Sequence, residues 1–254
     1  GGRAYWSENE ADLKPLASAV QPGDTSALIY TSGTTGEPKG VVLTNRNFCS
    51  NVKAALKVVP FDEDDHHLSF LPLCHAFERT AGYSAVMAAG ATISYAESIE
   101  AVSQNLQEVS PTVMISVPRM FEKMYNLVSK QATSGSAIQE KVFNWAVRAG
   151  RKYADAAGNG GAGPLLKAQR AVASKLVFSK LHEKLGGNLK FAVSGGAALP
   201  KEIGKFFQAA GVTIIEGYGL TETAPVMAVN PLEAPRYGTV GHILPGVTVA
   251  IQDI

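Results

Sequence analysis

Two kinds of hydrophobic spacing alternate along the chain. Short apolar runs rich in β-branched residues fall at 27–30, 41–43, 68–71, 91–95, 112–117, 189–193, 212–215 and 247–251. Between them, apolar residues recur at three- and four-residue intervals over 46–58, 76–89, 99–109, 119–130, 137–153, 165–185 and 200–210, the spacing that gives a helix one buried stripe. Asn45, Ser98 and Pro118 read as helix starts, and Gly90, Gly186 and Gly211 as helix stops, because short polar side chains and proline suit the first turn and glycine accepts the left-handed residue after the last. Strands alternating with helices predict an α/β fold, a mostly parallel sheet covered by helices on both faces. Residues 154–164 hold four glycines and no large apolar side chain. They read as a flexible, exposed connection between two helices.

Three glycine-rich stretches punctuate this pattern, after the runs at 27–30, 189–193 and 212–215. Ligands of parallel sheets sit beyond the carboxyl ends of the strands, so all three are expected on one rim. The first runs Thr31-Ser32-Gly33-Thr34-Thr35-Gly36-Glu37-Pro38-Lys39-Gly40. Thr31, Ser32, Thr34 and Thr35 offer hydroxyls, Gly33, Gly36 and Gly40 let the backbone turn its N–H groups inward, and Lys39 adds a mobile positive charge. That combination suits a loop wrapped around a polyphosphate; the plainer reading is a polar β-hairpin turn. A Walker A loop is excluded because Lys39 precedes Gly40 rather than Ser or Thr. A dinucleotide fingerprint starting at Gly217 fails at Glu222, and an esterase elbow fails at Tyr30 and Ala192.

The order of residues resembles the phosphate-binding signature of the adenylate-forming, AMP-binding enzymes: acyl-CoA synthetases, adenylation domains of peptide synthetases, and luciferases. Glu216-Gly217-Tyr218-Gly219-Leu220-Thr221-Glu222-Thr223 is similar to that family's adenine, phosphate and magnesium motif. Ser194-Gly195-Gly196-Ala197-Ala198-Leu199-Pro200 resembles the strand-to-helix turn before it. Leu71-Pro72-Leu73-Cys74-His75-Ala76-Phe77-Glu78-Arg79 narrows the resemblance to long-chain fatty-acyl-CoA synthetases. It implies ATP-dependent activation of a fatty acid to an acyl-adenylate, then transfer to coenzyme A. Alternatives are a ligase for another carboxylic acid and a non-catalytic nucleotide-binding module.

The same resemblance implies roles. Lys39 with Thr31, Ser32, Gly33, Thr34, Thr35 and Gly36 would hold phosphates. Glu222, with Thr31 nearby, would bind Mg²⁺, and Thr221 would donate to the α-phosphate. Tyr218 would lie against adenine, with Glu216, Gly217 and Gly219 lining the base pocket, and Gly195, Gly196 and Ala197 would let substrate pass close to the backbone. His75 would touch the substrate carboxylate or phosphate, or serve structurally. Glu78 and Arg79, being neighbours, would each pair elsewhere. The small residues Ala81, Gly82, Ala85, Val86, Ala88 and Ala89 would leave room for an alkyl chain or pack tightly on the sheet. The resemblance also implies that residues 1–254 are part of a large N-terminal domain, with a small mobile C-terminal domain outside them, and that the chain alone has little or no turnover.

Composition constrains partners further. The chain has 254 residues, 46% hydrophobic and 18% charged, with net charge +1, so nothing electrostatic favours nucleic acid. No apolar run reaches the ~18 residues a membrane helix needs, and the first residues lack the apolar core of a secretory signal. A cytoplasmic setting is expected, with peripheral membrane contact compatible with a fatty-acid substrate. Cys49 and Cys74 form no metal or redox motif and are expected to be buried thiols. His182-Glu183 begins a zinc-protease pattern that fails at Gly186.

Overall fold

A computed structural model describes residues 9, 14–31, 37–157 and 161–252. Two strands, β1 (Thr25–Thr31) and β2 (Lys39–Thr44), pair antiparallel with Thr31 opposite Lys39. Helix α1 (Asn45–Ala55) follows directly. Its cap is Thr44, one residue before the expected start: the Asn47 N–H donates to Thr44 Oγ1 at 3.3 Å and the Thr44 N–H to Asn47 Oδ1 at 2.8 Å, a reciprocal capping box.

The second sheet is larger. It contains β3 (His66–Ser69), β4 (Thr92–Tyr95), β5 (Val113–Ser116), β6 (Phe191–Ser194), β7 (Thr213–Gly219), β8 (Val226–Val229) and β9 (His242–Ile243). Their order is β4-β3-β5-β6-β7-β8-β9. The strands from β4 to β7 run parallel, and β8 and β9 are added antiparallel. The helices are α2, π-wound over Glu78–Ala85 and α-helical over Val86–Ala88, α3 (Val102–Val109), α4 (Pro118–Thr133) and α5 (Ala137–Ala157). Next comes α6 (Pro164–Ala173), which a π-wound stretch at Ser174–Phe178 joins to α7 (Ser179–Lys184), and last α8 (Lys201–Ala210).

Central strands are buried on both faces, so their apolar residues divide between two cores. Met114, Ala192 and Ile214 face one core with Phe121, Phe143, Phe178, Leu181 and Phe206 from the helices. Val113, Ile115, Phe191, Val193 and Ile215 face the other with Ala54, Val59 and Val86. The first core centres on Phe206, whose ring lies 4.8 Å from Tyr125, 5.5 Å from Phe207 and 6.1 Å from Phe143 between centroids.

The amino-terminal edge of the parallel strands is held by charge. Buried Asp65 accepts from Thr112 Oγ1 at 2.6 Å and pairs with Lys190 Nζ at 2.9 Å. Burial alone would push the Asp65 carboxyl up, but the hydrogen bonds from Thr112 and Lys190 outweigh it and hold the carboxyl below its ordinary value. The same hydrogen bond raises the Lys190 ammonium.

Several expectations are revised. The first glycine-rich stretch follows a strand of the small hairpin, not of the parallel sheet, so the two flanking runs have hairpin geometry. Residues 247–251 are not a strand among the described residues: their alternating pattern finds no neighbour to pair with, and Ile251 is exposed. Strands β8 and β9 were not expected: β9, of two residues, is too short to show a period, and β8, of four, is defined by its antiparallel pairing with β7. Residues 154–157, taken as the start of a loop, complete α5, as Ala-Asp-Ala-Ala readily does, and residues 158–160 lie outside the described residues. Cys49 and Cys74 are exposed rather than buried.

Candidate functional site

A cavity of about 500 Å³ opens at the carboxyl ends of the strands, within the usual size range of ligand sites. Its polar lining comes from Thr31 at the end of β1, His75 after β3, Glu78 and Thr80 on α2, Gly196 after β6, and Gly217, Tyr218, Gly219, Thr221 and Glu222 at the end of β7 and beyond. Its apolar lining includes Val59, Phe61, Ala81, Ala85, Val193 and Val229. Three motifs separated by up to 191 positions in the sequence, Thr31 to Glu222, therefore share one cavity.

The end of β7 shows why this sequence makes an open wall. Gly217, Tyr218 and Gly219 pair with β8 in antiparallel register, and a Cβ on Gly219 would collide with the Pro225 carbonyl oxygen. Only glycine lets the chain fold back there. Thr221–Thr223 form a single 3₁₀ turn at the fold-back, and the Thr223 hydroxyl accepts from the Leu220 N–H at 3.0 Å and donates to the Leu220 carbonyl at 2.9 Å. The turn leaves Glu222 exposed and Tyr218 45% exposed at the cavity.

Other residues singled out in the sequence lie elsewhere. Lys39 is exposed at the start of β2 and does not line the cavity. Ser32, Gly33, Thr34, Thr35 and Gly36 lie outside the described residues. Glu216 is buried, and its two carboxylate oxygens accept from the backbone N–H groups of Leu199 and Gly238, each at 3.2 Å. It fastens the turn after β6 to the segment after β8, and it is not among the residues that line this cavity. Gly195 is buried against Phe77, since a Cβ there would come within 2.6 Å of the ring. Of the Gly195, Gly196 and Ala197 stretch, Gly196 alone reaches the cavity lining, with φ of +78°.

Glu78 and Arg79 diverge as neighbours in a helix must. Arg79 lies over the Phe48 ring at 5.9 Å. Glu78 is fully buried in the cavity wall; its Oε1 accepts from Ser69 Oγ at 2.6 Å and lies 3.4 Å from His67 Nε2, while Oε2 has no protein partner. Gly82, one turn on, has no side chain because a Cβ would strike this carboxyl. Small residues in α2 thus serve two ends: Ala81 and Ala85 line the cavity, and Gly82 makes room for Glu78.

Sequence reasoning missed Asn51 and Thr80. Asn51 is buried on α1 and Thr80 on α2, and both hold the backbone of the turn that carries Glu222. Polar residues on otherwise apolar helix faces are the one signal that pointed to them.

Among the described residues no group of three or more His, Cys, Asp or Glu side chains is arranged to hold a metal. A single carboxylate and a hydroxyl on one cavity, Glu222 and Thr31, suit Mg²⁺ instead, which takes one or two protein oxygens and completes its shell with water and phosphate oxygens. No described helix is long and apolar enough to cross a membrane.

A parallel sheet with a hydroxyl-, glycine- and carboxylate-lined cavity at its carboxyl rim defines a nucleotide-handling α/β protein, and the chain belongs to the AMP-binding enzyme family, which matches residues 2–254. Among curated relatives it is 39% identical over 249 residues to the long-chain-fatty-acid–CoA ligase FadD15 of Mycobacterium bovis, covering 97% of this chain and 41% of that protein. It is 33% identical to the long-chain-fatty-acid–[acyl-carrier-protein] ligase AEE15 of Arabidopsis thaliana, covering 92% of this chain and 35% of that protein. The chain therefore spans about two fifths of the length of such relatives. The fold is shared with a malonyl-CoA ligase solved with methylmalonyl-CoA and AMP bound (TM-score 0.62, 23% identity, 92% of this chain and 42% of that one). It is also shared with a benzoate CoA ligase from Burkholderia xenovorans (TM-score 0.59, 24% identity, 90% of this chain and 36% of that one).

Proposed function

We propose that the protein containing this chain activates a long-chain fatty acid with ATP and passes the acyl group to coenzyme A. The observation that carries this reading is the single cavity joining a polar rim, with Thr31, His75, Tyr218, Thr221 and Glu222, to walls of small and apolar side chains. The named fatty-acid ligases among its relatives support the choice of acid.

In the first step the acid's carboxylate oxygen attacks the α-phosphorus and pyrophosphate leaves. Charge accumulates on phosphate oxygens, so the protein's task is to place and stabilise it. Thr221 donates its hydroxyl to the α-phosphate. Lys39, with Thr31, Ser32, Gly33, Thr34, Thr35 and Gly36, holds the β- and γ-phosphates and then pyrophosphate. Tyr218 lies against adenine beside Gly217 and Gly219, and His75 hydrogen-bonds the carboxylate or phosphate. Glu222 and Thr31 are the residues that would hold Mg²⁺, which when bound neutralises phosphate charge. In the second step the thiol of coenzyme A attacks the acyl carbonyl and AMP departs. The apolar end of the cavity, by Ala81 and Ala85, takes the alkyl chain. Residues 1–254 act as part of the large nucleotide-binding domain, in a cytoplasmic protein that touches membranes only peripherally.

Calorimetric titration with a non-hydrolysable long-chain acyl-adenylate mimic tests this. Saturable binding is expected, weakened about tenfold or more by Thr221→Ala, which removes the hydroxyl that donates to the one phosphate the mimic keeps, the range for losing a charge-assisted hydrogen bond. A folded chain that does not bind the mimic would overturn the reading. Acid-dependent pyrophosphate exchange by the full-length protein, across fatty, aryl and amino acids, separates a fatty-acid ligase from a ligase for another acid.

A further inference from the structure

The turn bearing Thr221 and Glu222 is held by two buried side chains, Asn51, which does not line the cavity, and Thr80, which does. Asn51, on α1, uses its whole amide: Nδ2 donates to the Val226 carbonyl at 2.7 Å and to the Thr223 carbonyl at 3.4 Å, and Oδ1 accepts from the Val226 N–H at 3.2 Å. Thr80, in the π-wound part of α2, donates its hydroxyl to the Ala224 carbonyl at 3.2 Å. Ala224 has φ of +66°, a left-handed conformation that a non-glycine residue adopts only where its surroundings impose it. Both side chains are buried, Asn51 7% and Thr80 1% exposed, so water does not compete for these hydrogen bonds. Helix α1 continues directly from β2, whose first residue is Lys39. The amide of Asn51 thus ties the hairpin that carries Lys39 to the turn that carries Glu222, across 175 positions of sequence from Asn51 to Val226.

We propose that Asn51 is a positioning residue that fixes Glu222 and Thr221 relative to the β1–β2 hairpin, with Thr80 as a second tether, so that Thr31 at the end of β1 and Thr221 and Glu222 on the turn present one preset geometry to metal-bound triphosphate. The inference rests on the nucleotide-binding reading above. Asn51 touches no reacting atom; it acts through the Thr221–Glu222 turn.

The test is a double-mutant cycle read by calorimetric binding of Mg·ATP to this chain, using Asn51→Ala, Glu222→Gln and the pair. Residues that act through one another are non-additive, so Asn51→Ala should weaken Mg·ATP about tenfold, and the double variant should bind within about twofold of Glu222→Gln alone. Thr80→Val, which removes one hydroxyl and little volume, should show the same non-additivity and keeps the test valid if Asn51→Ala does not fold. Losses that multiply, or an Asn51→Ala affinity within about twofold of wild type, would overturn the proposal while leaving the nucleotide-binding reading intact. A folded wild type that does not bind Mg·ATP would overturn both.

Discussion

Gly195 shows how a single position can look like a substrate contact and be a packing contact. Its missing side chain is replaced by the ring of Phe77, which fills the space beside the turn after β6. Adding a methyl group there overpacks a buried site, so Gly195→Ala should destabilise the chain by about 1–3 kcal/mol. Phe77→Leu in the same chain should recover part of that loss, because a shorter side chain vacates the contested volume; thermal unfolding of the single and double variants measures both. An unchanged midpoint in Gly195→Ala would mean that the ring moves aside freely. Glu216 is a related case. Its carboxylate accepts from two backbone N–H groups, so the side chain ties the turn after β6 to the segment after β8.

At the scale of elements, the parallel strands have a chemically distinct end on each side. The carboxyl ends open on the cavity, whereas the amino ends are fastened by Asp65, Thr112 and Lys190. Asp65→Asn leaves Lys190 without its buried partner and should cost about 1–2 kcal/mol at pH 7. The sign of the pH dependence follows from the carboxyl being held below its ordinary value. Its contribution is present above the unfolded value, near pH ~3.9, and is lost as pH falls through the lower folded value. Urea denaturation of wild type and variant at pH 7 and at pH 3 should therefore show a difference that shrinks with acidification; a constant or growing difference would contradict the assignment. Lys190, raised by the same bond, keeps its contribution up to its unfolded value, ~10.4, and loses it as pH rises through the higher folded one.

At the scale of the whole molecule, two cores on opposite faces of one sheet hold the rim in place, and the larger is organised around Phe206, 1% exposed and in ring contact with Tyr125, Phe143, Phe178 and Phe207. Phe206→Ala should lower stability by about 3–5 kcal/mol. Guanidinium denaturation of the variant checks this, and a loss below about 1 kcal/mol would mean the neighbouring rings collapse into the space. By itself the sequence determined the α/β class, the sites of most strands and helices, and the three motifs, because side-chain periodicity and glycine-and-hydroxyl composition are local properties that survive without a partner. Only the tertiary structure decided that β1 and β2 form a separate hairpin, that β8 and β9 join the large sheet, that the Glu216 carboxylate bonds Leu199 and Gly238 and Gly195 packs on Phe77, and that Asn51 and Thr80 hold the Glu222 turn. Asn51, Thr80 and Gly195 meet partners more than a hundred positions away, and the hairpin, the added strands and the Glu216 bonds depend on which nearer backbone groups pair; hydrogen bonds and van der Waals contacts of that kind leave no period in the chain.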